Sequence, residues 1–68
     1  MIVINSALMQ NEIISFVEAY HESIHFLKKV GISLQFTSDD EKTLAPDIKK
    51  ALKADPRFKA LFFNVEVK

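Results

Sequence analysis

The sequence predicts an α+β fold, a two-layer sandwich in which a small sheet of two to three strands carries two helices on one face. Three observations predict it. A long N-terminal run places apolar residues every three or four positions, and two later runs alternate apolar with polar residues. In both alternating runs only one face is apolar. A spacing of three to four marks a helix and a spacing of two marks a strand. A parallel sheet buried on both sides would instead show continuous apolar runs, so helices are expected on one face only.

The elements follow in β-α-β-α-β order. Met1 to Ile4 is a short β-prone run. Asn5 and Ser6 are residue types that cap helices, and the period then changes. Met9, Ile13, Phe16, Tyr20, Ile24 and Leu27 fall in one stripe, with Val17 on its flank. A long first helix over about residues 7–29 is predicted, closed by Lys28 and Lys29 with Gly31 just past its end. Ile32, Leu34 and Phe36 alternate with Ser33, Gln35 and Thr37 as a strand. Residues 38–42 read as a solvated turn. Thr43 is the predicted cap of a second helix, with Pro46 in its first turn and Leu44, Ile48, Ala51 and Leu52 as its buried stripe. Asp55-Pro56 stops it. Leu61, Phe63, Val65 and Val67 form the last alternating strand, with Phe62, Asn64 and Glu66 on its other face.

Sixty-eight residues make one domain, residues 1–68. Chains this short bury only about 60% of their unfolded surface, and small folds lean on disulfides, metals or oligomerisation. Cysteine is absent, which excludes disulfides and thiolate metal sites. The apolar runs are too short to span a membrane or to form a secretory leader, so the chain reads as cytoplasmic. A hydrophobic share of 49% with a single Gly argues against disorder. Net charge is zero but uneven: residues 1–27 hold three glutamates and no Lys or Arg, while residues 28–68 hold nine basic and six acidic residues. Such a dipole can orient a partner.

One segment carries recognisable chemistry. His21-Glu22-Ser23-Ile24-His25 resembles the H-E-x-x-H signature of zincin metallopeptidases. The resemblance implies a helix on which His21 and His25 hold zinc and Glu22 is the general base for a metal-bound water. It covers five residues. Ser23 stands where that family carries a bulky apolar residue, and the chain has no third His. Read from the residues alone, Glu18, His21, Glu22 and His25 are neighbours on a polar helix face.

A basic cluster, Lys49, Lys50, Lys53, Arg57 and Lys59 with Phe58 beside it, is a second candidate, for nucleic acid bound through the second helix. Asp47 and Asp55 dilute it, and an outward amphipathic face explains its lysines. The remaining signal is apolar. Leu8, Ile14, Phe26 and Phe62 fall off the predicted core faces and form a candidate interaction surface. The reading that follows is a small non-enzymatic protein acting through protein association, with a homodimer expected. A zinc site at His21 and His25 and nucleic-acid binding stand as alternatives.

Overall fold

In the computed structural model, which describes all 68 residues, the elements run β1 (Ile2–Asn5), α1 (Gln10–Tyr20), β2 (His25–Val30), β3 (Ser33–Thr37), α2 (Glu41–Ala54) and β4 (Asn64–Val67). The sheet has four strands in the order β2-β3-β1-β4, every neighbouring pair antiparallel. This is the split β-α-β connectivity, in which each helix links two strands separated by a third. The fold is α+β as predicted, with four strands rather than two to three.

Register explains the layering. Ile2 pairs with Phe36 and Val67, and Ile4 with Leu34 and Val65. These side chains share one face, and Ile2, Ile4, Leu34 and Phe36 join Ile13 and Val17 of α1 and Ala45, Ile48 and Leu52 of α2 in one buried cluster. Both helices therefore cover the same face. Ile24 and Phe58 complete the cluster from the loops. The opposite face is mostly polar: Asn5, Ser33, Gln35, Thr37, Asn64 and Glu66 stand there, around a buried Val3.

The predicted helix over 7–29 is corrected most. A helix of that length would run about 34 Å, longer than the molecule, whose largest dimension is 29 Å. α1 is 11 residues long, and residues 25–30 are β2. Between them His21 is extended and the Ile24 amide donates to the His21 carbonyl at 3.1 Å, closing a turn. The α1 stripe also shifts: Ile13 and Val17 are its buried centre, while Tyr20 and Leu27 are exposed. Gly31 is a hairpin residue rather than the end of a helix. Gly31-Ile32 joins β2 to β3 with Gly31 at φ 59°, the pattern of a two-residue loop with Gly in its first position. β3 starts at Ser33, so Ile32 lies in the turn and is exposed.

The helix ends differ too. α1 starts after Met9, which sits in the left-handed region at φ 57° and offers no side-chain cap. Ser6 instead ties the loop, its hydroxyl donating to the Leu8 carbonyl at 2.9 Å. Asp40 caps α2 by accepting from the Thr43 amide at 3.4 Å. Because α2 begins at Glu41, Pro46 lies in its second turn, where its ring removes the bond to the Lys42 carbonyl.

Candidate functional site

The same register gathers exposed apolar residues at one end of the sheet. β1 ends there at Asn5, opposite Ser33 where β3 begins and Asn64 where β4 begins, and Ser33 faces Val30 where β2 ends. A polar ladder marks the row: the Ser33 hydroxyl donates to Asn5 Oδ1 at 2.5 Å, and Asn5 Nδ2 donates to Asn64 Oδ1 at 2.7 Å. Past it, the loop after β1 is bound to the hairpin tip. The Ser6 amide donates to the Ile32 carbonyl at 2.9 Å, and Gln10 Nε2 donates to the carbonyls of Ser6 at 2.8 Å and Gly31 at 3.2 Å. Leu8, Val30 and Ile32 are each more than half exposed, and Phe62, two residues before β4, is 96% exposed.

Of the predicted interaction residues, Leu8 and Phe62 belong to this end. Ile14 and Phe26 are partly buried against the core, and the Phe26 ring meets Phe36 edge-on with centroids 5.4 Å apart. Sequence reading missed Val30 and Ile32. Gly31 between them was the available signal, since a two-residue hairpin turn leaves its flanking side chains at a tip.

The flank of α2 beside β4 is basic. Lys42, Pro46, Lys49 and Lys53 fall within about 60° of one another on the helix wheel. One shallow groove is lined by Lys42, Ala45, Pro46, Lys49, Val65 and Val67. The next is lined by Lys53, Lys59, Ala60, Leu61, Phe62 and Phe63, so it reaches the exposed ring. The ion pairs of the chain join the N-terminus to Glu41, Arg57 to Asp55 and Lys68 to Glu66. Lys42, Lys49, Lys53 and Lys59 have no carboxylate partner.

The structure rearranges the other two candidates. His21, Glu22 and His25 do not share a helix: Glu22 and Ser23 are turn residues, and His25 opens β2, paired with Thr37. His21 Nδ1 accepts from the Ser23 amide at 3.1 Å and lies 2.9 Å from its hydroxyl. These residues line a polar hollow with Thr37, Ser38 and Asp39, and no group of three His, Asp or Glu side chains is placed to hold a metal ion. The helical geometry that the zincin resemblance implies is therefore absent.

The basic cluster is also dispersed. Phe58 is fully buried, its ring edge-on to Phe16 at 5.7 Å, and offers no face to a base. The Arg57 side chain donates to both oxygens of Asp55, at 3.1 and 3.0 Å, and its amide donates at 2.8 Å. These bonds, the side-chain ones foremost, hold the Asp55 carboxyl below the ordinary carboxylate range and raise Arg57. The open sheet face carries no Phe, Tyr or Trp on which a base would stack, and its one ring is His25, at the edge of the sheet opposite Thr37.

No helix is long and apolar enough to cross a membrane. Comparison of the chain with protein-family models, with curated proteins and with solved structures finds no match.

Proposed function

We propose that this chain is a small, non-enzymatic cytoplasmic protein that works by binding another protein at the apolar end of its sheet. The carrying observation is Phe62, a ring left 96% exposed although the fold buries Phe36 and Phe58 completely. Leu8, Val30 and Ile32 extend the apolar surface around the end of the sheet. Scattered exposed aliphatics are ordinary. Four at one end, one of them an aromatic of the kind that anchors interfaces, favour a contact surface. The lack of cysteine fits a reducing compartment.

A photo-crosslinking side chain placed at position 62 tests this in cells, with position 50 on the outer face of α2 as control. A defined protein adduct at 62 and none at 50 supports the reading. Adducts of equal yield at both positions, or none at either, overturn it. The partner at this end is a second protein or a second copy of the chain, the latter favoured by its small size alone. The signature of a second copy is a position-62 adduct of twice the monomer mass.

A further inference from the structure

The two edges of the sheet are unlike. β2 is a six-residue edge guarded by two devices that discourage strand pairing: a bulge between Phe26 and Lys28, and the adjacent lysines Lys28 and Lys29. β4, the other edge, has a continuous register with β1 and contains neither Pro nor Lys. Its hydrogen-bonding phase follows from its end. The Lys68 amide donates to the Met1 carbonyl at 2.8 Å and the Met1 ammonium donates to the Lys68 carbonyl at 2.7 Å, so Met1 and Lys68 are a hydrogen-bonded pair. Such pairs alternate with non-bonded ones along an antiparallel ladder. Glu66 and Asn64 therefore turn their backbone groups toward β1, whereas Val65 and Val67 turn theirs outward. The outer edge offers two N–H donors and two carbonyl acceptors at the spacing an added strand needs.

Beside that edge lies the lysine flank of α2. Lys42 to Lys53 spans about 16 Å of helix, and four strand residues span about 13 Å. Val65 and Val67 point toward the same groove as Lys42 and Lys49. Every second side chain of a strand laid along β4 would enter it. A glutamate there would rest its methylenes on Ala45, Pro46 and the valines and reach a lysine with its carboxylate.

We propose that β4 binds an extended acidic segment of another protein by strand addition, the segment placing alternate carboxylates against Lys42, Lys49 and Lys53 and its end against Phe62. This rests on the association reading and specifies its occupant. A second copy is the poorer fit: pairing β4 with β4 of a twofold mate would bring the two lysine flanks onto one groove, and like charges across an interface oppose association. The edge also supplies what the apolar end lacks. A stable interface takes about 800 Å² from each partner, nearly a fifth of the 4256 Å² surface of this chain, and strand addition spreads the contact along the whole flank.

The test uses the full chain and three synthetic heptapeptides: alternating Val and Glu, a block arrangement of the same residues, and alternating Val and Lys. The alternating Val/Glu peptide is expected to bind, to weaken with added salt, to slow hydrogen exchange at the Val65 and Val67 amides, and to lose about tenfold in affinity with Lys49→Glu. Equal binding of the block peptide, unchanged exchange at Val65 and Val67, or indifference to Lys49→Glu overturns strand addition. So does protection of both amides by self-association without peptide. Because Lys49 is exposed, circular dichroism of the variant separates lost binding from lost folding. A position-62 adduct in cells together with no peptide binding would overturn this proposal and leave the association reading standing. Peptide binding with no adduct would overturn the apolar end as the contact surface and leave strand addition at β4 standing.

Discussion

Phe58 and Phe62 lie four residues apart, and the same substitution at each should give opposite results. Phe58 is fully buried, its ring edge-on to Phe16 at 5.7 Å and 79°. Phe62 is 96% exposed. Truncating a buried Phe to Ala costs about 3–5 kcal/mol, while a 68-residue chain has a total stability of about 3–10 kcal/mol, so Ala at 58 risks unfolding the protein outright. Leu is the informative replacement. At position 58 it keeps most of the volume but loses the aromatic pair, about 0.5–1.5 kcal/mol, and adds some repacking strain. The expected loss is about 1–2 kcal/mol, a fall in Tm of about 5–15 °C in a domain this small. At position 62 the change removes no buried contact, and stability should stay within about 0.5 kcal/mol. Urea titration with a common slope measures both. Equal losses, or a larger loss at 62, would refute the packing of residues 55–63 and with it the exposed ring on which the binding surface depends.

Other consequences follow from single positions. Gly31→Ala meets no atom within 4 Å but must hold φ 59°, so urea unfolding should show a loss of about 1 kcal/mol from backbone strain alone; no loss would mean that the hairpin turn is built otherwise. Asp55→Asn removes a carboxyl whose affinity for protons is lowered in the folded state by Arg57. The stability this pair contributes is fully present above the ordinary aspartate pKa of about 3.9 and is lost as pH falls through the lowered native value. The gap between wild type and Asp55→Asn should accordingly be flat from neutral pH to about 5 and close on further acidification. Zn²⁺ added at stoichiometric levels should leave Tm unchanged, since His21 and His25 sit in a turn and a strand with no third ligand; a tight rise abolished by His25→Ala would contradict that placement.

Much of the framework was legible in the sequence because it rests on local periodicity. β3, α2 and β4 appear in the segments that the alternation and the helical stripe mark, although β3 starts one residue late at Ser33, α2 starts at Glu41 and β4 takes only 64–67 of the alternation over 61–67. Phe62, just before β4, is exposed as that alternation requires. β2 was not legible. Ile24 and Leu27 continue the three-four spacing of α1, and the bulge between Phe26 and Lys28 breaks the period of two that would mark a strand. The segment is a strand because β3 offers it a full ladder, a long-range fact that spacing along one segment does not carry. The imitation of a zinc motif dissolved for the same reason: its geometry required the helix to continue through His25. Phe58 misled differently. It lies in a turn with no periodicity, so only the packing of Phe16 above it reveals that it belongs to the core. The apolar end was half visible: Leu8 and Phe62 stood out by their spacing, but Val30 and Ile32 joined them only through the strand order.

Amide hydrogen exchange along β4 in the protein alone tests the open edge most directly. The pairing with β1 predicts alternation: Asn64 and Glu66 amides protected by their partners Asn5 and Val3, and Val65 and Val67 amides exchanging fast at micromolar concentration. Slow exchange at all four would show that something, a second copy first of all, already covers the strand. Fast exchange at all four would show that β4 is not paired to β1.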